Sequence, residues 1–567
     1  MGARRPAAME NAEPRLETLA QLFEWSCARF RDRPAFTSMG VTLRYRDVDR
    51  LSAAFGAFLR LELGLERGDR VAIILPNLLQ YPVALIGALR AGLTVVNVNP
   101  LYTPAELQLQ LADSGAAAVV VLENFARTLE QALAGTAVRR VIATQVGDVF
   151  PLLKRWATNV AVKRVKHMVP AWHIARAVRW REALGGKLAL PKVAVQADDV
   201  AFLQYTGGTT GRPKGAVLTH GNLAANVAQT TRWTAGVLEE GEETVITALP
   251  LHHIFALTAN LLQFMRLGGR NVLIADPRDL KAFVRELQRT RFSAITGVNT
   301  LYRALLDAPG FDAACRANRG ALKLAVAGGM TVERAVAERW QAATGVALVE
   351  GYGLTEASPN VCANPADARA FSGKLGLPLP STEVTIRDER GSEVARGEAG
   401  EICVRGPQVM RGYWHAPEET AQAFFPGGWL RTGDLGRVDE AGCVVFVERR
   451  KDVIVVSGFK AYPSEIEAVA LQHPGVKEAG AVGLPHPRSG EVVALFVVKR
   501  DPELRAGALA EHCARRLSPY KRPVRIEFRD ALPKSPLGKV LYRELRQQAA
   551  FTVRRAERRH KEGGGGC

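Results

Sequence analysis

The sequence predicts an α/β fold: a large N-terminal domain of several subdomains with parallel-rich sheets plus a β-rich subdomain, and a small α+β C-terminal domain. Three observations predict it. Short apolar, strand-like runs alternate with amphipathic helical stretches from about residue 15 to residue 350, the pattern of crossover units on a parallel sheet. Residues 401–405 and 438–448 read as strands of a more β-rich unit. A chain of 567 residues also exceeds what one hydrophobic core organises, so at least two domains are required.

Taken in order, Leu16, Leu19, Leu22, Phe23 and Cys27 recur at helical spacing and place a helix over about 15–35. Residues 41–45 form a short strand, 46–63 an amphipathic helix and 70–75 a buried strand. A helix over 81–91 and strands over 94–98, 117–122 and 140–144 continue the alternation. Further on, Asn222 caps a helix to about Thr231. Strands follow at 244–249, 271–274, 294–300 and 324–328, with helices near 280–289 and 331–344, and a strand at 346–350. The last unit has helices near 464–472 and 506–517 and strands at 480–483, 492–499 and 524–528.

Residues 151–192 differ. Lys154, Arg155, Lys163, Arg164, Lys166 and further Arg and Lys residues face one acid, Glu182, with Trp156, Trp172 and Trp180 interleaved. Such a stretch suits an anionic membrane surface. The alternative is a solvated, partly helical insertion whose tryptophans pack on the domain. Both stay open.

The net charge of +18 favours anionic partners: nucleotides, coenzyme A, acidic lipid surfaces or nucleic acid. No nucleic-acid-binding motif is present, so no nucleic-acid function is expected. Seven scattered cysteines without a Cys-x-x-Cys pair fit reduced thiols rather than a disulfide scaffold or zinc site. No secretory signal or spanning helix is legible, so a cytoplasmic protein is expected, peripheral at the inner face of the cell membrane under the membrane reading of 151–192.

The chain is organised around Tyr205-Thr-Gly-Gly-Thr-Thr-Gly-Arg-Pro-Lys-Gly215. Strand-like residues flank it on both sides, so it reads as a loop between two strands. Glycines 207, 208, 211 and 215 let backbone N–H groups turn toward an anion. Thr206, Thr209 and Thr210 add hydroxyls and Lys214 a positive charge, an inventory that suits a polyphosphate. The Walker pattern fails, because Arg212-Pro213 follows Gly211 and Gly215 follows Lys214. A flexible linker would not need strands on both sides. In Gly351-Tyr-Gly-Leu-Thr-Glu356, the glycines permit close backbone approach and Tyr352 offers a ring to adenine. Thr355 offers a hydroxyl and Glu356 a hard oxygen for Mg²⁺. Asp434, in a glycine turn, can accept both ribose hydroxyls.

The 205–215 stretch, continued by Leu218-Thr-His-Gly-Asn-Leu223, resembles the phosphate-binding signature of adenylate-forming enzymes: acyl-CoA synthetases, luciferases and peptide-synthetase adenylation domains. The 351–356 stretch matches their second signature, and the likeness runs from about residue 15 to 550. Pro250-Leu-His-His-Ile-Phe-Ala-Leu-Thr258, Ala294-Ile-Thr-Gly-Val-Asn-Thr-Leu301 and Ala327-Gly-Gly-Met330 are most similar to bacterial long-chain fatty-acid–CoA ligases. The resemblance implies ATP-dependent ligation of a fatty acid to coenzyme A through an acyl-adenylate, with Mg²⁺. Another acid, or a carrier-protein acceptor, is the alternative.

It also implies roles. Thr206, Gly207, Gly208, Thr209, Thr210, Gly211 and Lys214 meet the phosphates. Gly329, Gly351, Tyr352, Asp434 and Arg449 meet the nucleoside, and Thr355 and Glu356 serve catalysis, with the metal on Glu356. Gly458 lies beside the tunnel for the CoA arm, with Lys460 near it, and His253 gates or walls the acyl pocket. Lys539, rather than Lys534, closes on the carboxylate and α-phosphate. Residues 1–448 form the large domain, 449–452 a hinge around Lys451, 453–550 a mobile small domain and 551–567 a basic, glycine-ending tail. A homodimer is the implied assembly.

Overall fold

Nearly continuous apolar strands need cover on both faces, which crossover helices supply. The computed structural model describes residues 16–186, 188–206, 213–449, 452–456, 459–486, 489–534 and 540–549. In it Val200–Thr206, Thr94–Asn97, Arg70–Ile74, Ala118–Leu122, Arg140–Thr144 and Val178–Arg179 lie side by side and parallel. Lys214–Thr219 and then Gly412–Tyr413 extend this sheet antiparallel, giving eight strands among the described residues. A nine-stranded sheet has a parallel centre of Leu348–Gly353, Leu324–Gly328, Ala294–Gly297, Thr244–Thr247, Arg270–Leu273 and Pro34–Ser38. Antiparallel strands close its two edges.

One continuous core takes residues from both sheets, among them Phe36, Leu273, Val71 and Phe202. The helix Gln80–Arg90 belongs to it and is buried at every position but Arg90. Asn77 joins the two halves. Its Nδ2 donates to the carbonyls of Thr247 and Leu249 at 3.0 and 2.9 Å, and its Oδ1 accepts from Leu251 N at 2.8 Å.

The alternation is as expected, with local corrections. The first helix ends at Arg29, and Pro34–Ser38 is a strand where the helical reading continued. The helix Pro104–Ser114 was not anticipated, although Thr103 and Glu106 form its capping box around Pro104 at the first turn. Asn222 does not cap the next helix. Thr219 does, and Asn222 is the reciprocal partner in the box, its Oδ1 accepting from Thr219 N at 2.9 Å. Residues 429–434 are not a turn but part of the long strand Trp429–Val438. That strand, with Glu383–Arg387, Gly400–Arg405, Phe424–Phe425 and Val444–Arg449, makes the β-rich subdomain.

The basic segment is packed on the domain only in part. Trp180 is fully buried and stacks tilted on Phe55, with centroids 4.9 Å apart. Trp172 is half-buried. The helix Leu152–Val160 buries nothing, and Leu153 (83%) and Trp156 (68%) stand in solvent.

The C-terminal unit packs the helices Pro463–Leu471 and Ala506–Ala514 with the sheet of Ile454–Val456, Phe459–Ala461, Val476–His486, Gly490–Lys499 and Arg525–Arg529. The first of these helices ties it to the strand before it: Glu448 Oε2 accepts from Ser464 N at 2.8 Å. Glu467, half-buried in the same helix, accepts from Ala481 N at 2.7 Å and from the Tyr542 hydroxyl at 3.0 Å. Burial foremost, with Glu448 and Asp452 nearby, raises its pKa from 4.5 to about 8. The folded state therefore holds a proton that the unfolded chain releases. The stabilisation is complete below about pH 4.5 and is lost as pH rises through about 8. We expect unfolding of this unit to become easier from pH 5 to pH 8, and Glu467→Gln to flatten that slope in a pH series of thermal melts. An unchanged slope would remove Glu467 from the account.

Candidate active site

Parallel strands deliver their carboxyl ends to one side of a sheet, where ligands bind in the crevice. Here the ends of Val200–Thr206, Leu324–Gly328 and Leu348–Gly353 open on a cleft of about 1100 Å³. Thr206, Lys214, Gly329, Gly351, Thr355, Glu356 and Asp434 all line it, as do His252, His253 and Phe255. Residues far apart in sequence are thus brought to one wall. Gly207, Gly208, Thr209, Thr210, Gly211, Lys451, Gly458 and Lys539 lie outside the described residues, and of Arg449 and Lys460 the backbone alone is described.

The strands that flank the phosphate stretch, Val200–Thr206 and Lys214–Thr219, pair antiparallel. Thr206 stands opposite Lys214 in their register. Lys214 projects its ammonium over the Tyr413 ring, 5.4 Å from the centroid. The same tyrosine donates its hydroxyl to Glu356 Oε1 at 2.8 Å. Burial, reinforced by that carboxylate, pushes the phenol well above its ordinary pKa, so it stays a donor. Tyr413 therefore fixes both the cation and the carboxylate of the site. Sequence reasoning missed it, because a two-residue edge strand in Arg411-Gly-Tyr413 carries no local mark.

Asp434 is aimed by a bulge. Between Glu401 paired with Leu435 and Cys403 paired with Arg431, the strand Trp429–Val438 carries extra residues, and Gly433 takes φ +72°. Glu401 holds this kink: Oε1 accepts from Gly433 N at 3.1 Å, and Oε2 accepts from Arg431 Nη2 at 3.0 Å. Tyr352 donates to Asp434 Oδ2 at 2.8 Å. The sequence assigned the Tyr352 ring to adenine, but it is not among the residues lining the cleft. It packs with Val361, Cys362, Ile402 and Val444, since alternation along Leu348–Gly353 turns it into the core while Gly351 and Gly353 face the cleft.

The histidine loop is held from behind by a buried polar chain. Asn97 Nδ2 donates to Gln204 Oε1 at 3.0 Å, and Gln204 Nε2 donates to the His252 carbonyl at 2.7 Å. The Tyr81 hydroxyl reaches Asn97 Oδ1 at 2.7 Å and the Leu251 carbonyl at 2.8 Å. His252 is half-buried at the cleft wall, and burial of its ring lowers its pKa to about 3, so it stays neutral. His253 Nδ1 caps the short helix Ile254–Ala256.

Behind Phe255 lies a second, apolar void of about 30 Å³, lined in part by Trp233, Ala259, Phe264 and Leu324. It holds a water or two at most. Phe255, Val326, Gly351 and Asn360 border both spaces. The cleft thus combines Lys214, hydroxyls, the carboxylates of Glu356 and Asp434 among others, and an apolar border, a set that fits a nucleoside triphosphate with a hard divalent cation.

A family model described as AMP-binding enzyme matches residues 23–414, and one described as AMP-binding enzyme C-terminal domain matches residues 465–539. The chain belongs to the AMP-binding enzymes. Among curated relatives, this AMP-binding enzyme is 52% identical over 541 residues to a long-chain-fatty-acid–CoA ligase of Salmonella typhimurium, covering 95% of this chain and 96% of the relative. It is 36% identical over 540 residues to a long-chain-fatty-acid–CoA ligase of Bacillus subtilis, covering 94% of each. Among solved structures, ATP-bound MatB from Rhodopseudomonas palustris superposes with a TM-score of 0.77 at 28% identity, over 93% of this chain and 98% of that one. A benzoate CoA ligase from Burkholderia xenovorans gives 0.78 at 28%, over 94% and 100%. The α/β architecture of this AMP-binding enzyme, with its β-rich subdomain and small C-terminal domain, is the one these two structures share.

Proposed function

We propose that this AMP-binding enzyme joins a long-chain fatty acid to coenzyme A, using ATP and releasing pyrophosphate and AMP. One observation carries the proposal: a single cleft holds Lys214, Glu356 and Asp434 and borders an apolar void behind Phe255. The relatives at about half identity, named as long-chain-fatty-acid–CoA ligases, support the same acid.

The first step brings a carboxylate to the α-phosphate of ATP, so neutralising negative charge dominates its barrier. Lys214 and the loop over 206–211 take the phosphates, Asp434 the ribose, and Gly329 and Gly351 the nucleoside face. Tyr352 orients Asp434, and Arg449 reaches the nucleotide. Glu356 would hold Mg²⁺, with the Thr355 hydroxyl beside it, and the ion would supply charge stabilisation at the phosphates when bound. Lys539 closes on the reacting carboxylate and α-phosphate. Residues 453–550 then turn about the hinge over 449–452, and the Gly458 segment admits the CoA thiol to the acyl carbon.

The acyl tail would enter past Phe255, whose ring must move because the void behind it is so small. Phe255→Trp is expected to lower kcat/KM for long-chain acids about tenfold more than for short ones. Equal loss at all lengths would place the tail elsewhere.

Among the described residues no helix is long and apolar enough to cross a bilayer. We place the protein in the cytoplasm, with 151–192 resting on the inner, anionic face of the cell membrane through Leu152, Leu153 and Trp156. We also propose a homodimer, as the family resemblance implies, which sedimentation velocity checks.

The function is tested by pyrophosphate release with Mg-ATP across fatty acids of graded length, with and without coenzyme A, following acyl-CoA by mass. CoA-dependent turnover peaking at long chains supports the proposal. Pyrophosphate release without acyl-CoA moves the acceptor to a carrier protein, a peak at aryl or short acids changes the substrate, and no release with any acid ends the enzymatic reading.

A further inference from the structure

A second cleft, of about 700 Å³, opens beside the helix Leu152–Val160 and its continuation Ala161–Val165, and none of its lining residues borders the first cleft. Lys163, Arg164, His167, His173 and Arg179 line it, together with Trp172. The carboxylate on this wall, Glu123, is buried and already neutralised. Arg179 forms a salt bridge with it, and Gln145 Nε2 donates to it at 2.8 Å. Arg179 in turn lies over the Trp172 ring, 5.4 Å from its centroid, which fixes the guanidinium at the edge of the cleft. Lys163 and Arg164 pair with no acid among the described residues. Two adjacent unpaired cations on a concave wall, with the local acid silenced, form an anion site.

The rim tells which anion. Leu152, Leu153, Trp156, Val165 and Met168 are 67%, 83%, 68%, 72% and 53% exposed, all on the stretch that flanks this cleft. A free phosphate or nucleotide would need no such neighbours. A phosphate that arrives on acyl chains would, because the apolar residues enter the interface while the cations reach the headgroup level. We propose that this cleft holds the phosphate of an anionic phospholipid headgroup. The proposal rests on the membrane reading of 151–192 for the source of that phosphate, and the experiment separates the two.

Full-length protein is assayed in two ways. Cosedimentation uses phosphatidylcholine vesicles with and without phosphatidylglycerol. Calorimetry uses dihexanoyl phosphatidylglycerol below its micellar concentration, with inorganic phosphate as competitor. Wild type, Lys163→Ala/Arg164→Ala and Leu153→Ser/Trp156→Ser are compared. We expect wild type to require phosphatidylglycerol in the vesicle and to bind the short-chain lipid one to one. The double-alanine variant should weaken both by about tenfold or more, while its acyl-CoA formation from a water-soluble acid is unchanged. The double-serine variant should lose vesicles but keep the short-chain lipid. If the double-alanine variant binds both as wild type does, the cleft is not the site, although loss of vesicles by the double-serine variant would leave the membrane reading standing. If inorganic phosphate binds as tightly as the lipid, the ligand is free phosphate and the lipid source is overturned. One-to-one binding without vesicle binding would keep the headgroup site and remove the membrane reading. Binding of neither probe would remove both.

Discussion

Replacing Lys539 with alanine is expected to slow acyl-adenylate formation by about 10² to 10³ while leaving the conversion of supplied acyl-AMP to acyl-CoA largely intact. The reason is where charge gathers. In the first half-reaction an anionic carboxylate approaches an anionic phosphate, and a lysine held at both would meet the growing charge. In the second, a thiol attacks an acyl carbon already activated by its adenylate, and a clear path matters more than a cation. A small domain that carries Lys539 away to present the Gly458 segment separates the two needs in time. Single-turnover measurements of each half-reaction decide the matter. Equal loss in both would mean that Lys539 serves the fold or the nucleotide generally.

Glu356→Gln should lower kcat/KM for ATP by about 10² to 10³ and move the Mg²⁺ requirement to higher concentration. Glutamine keeps the shape of the carboxylate but not its charge. The contact with Tyr413 gives a second handle. Tyr413→Phe keeps the ring under the Lys214 ammonium and removes the hydroxyl 2.8 Å from Glu356. A loss of about tenfold is expected, the order of one hydrogen bond to a charged group. Tyr413→Ala should cost more, because the lysine then loses its platform as well. Mg²⁺ titrations of nucleotide binding by calorimetry, read beside turnover, separate these effects. An unshifted Mg²⁺ dependence in Glu356→Gln would take the metal away from Glu356.

Local signals explain what was legible. The crossover pattern followed from apolar runs and their spacing, and the paired strands Val200–Thr206 and Lys214–Thr219 from the apolar runs on either side of the glycines and threonines. The misreadings were local too. Pro34–Ser38 is buried at four of its five positions, so its apolar run carries no alternation to mark it as a strand. Asn222 looked like a cap, yet Thr219, three residues earlier, had the extended backbone that a cap needs. Asp434 looked like a turn residue because a bulge borrows the chemistry of turns. What could not be read were contacts across long stretches of chain. Tyr413 meets Glu356, Gln204 meets the histidine loop, and Asn77 joins the two halves, each through a partner that no local window contains. Trp156 and Trp180 fall in one basic segment with opposite fates, since burial is decided by Phe55, far back in the chain.

In the hairpin of Trp429–Val438 and Val444–Arg449, Asp434 stands directly across from Arg449. The turn between the strands is fixed by Asp439, whose Oδ1 accepts from Ala441 N at 3.0 Å and Cys443 N at 2.9 Å. In the proposed function, with the ribose on Asp434 and the hinge over 449–452, the hairpin is a ruler measuring the distance from sugar to pivot. Because side chains alternate along a strand, one inserted or deleted residue in this turn would send one of the two to the opposite face. Length in this short loop should therefore be far less tolerant of change than its exposed position suggests, and insertion scanning would find it as a gap among permissive surface loops.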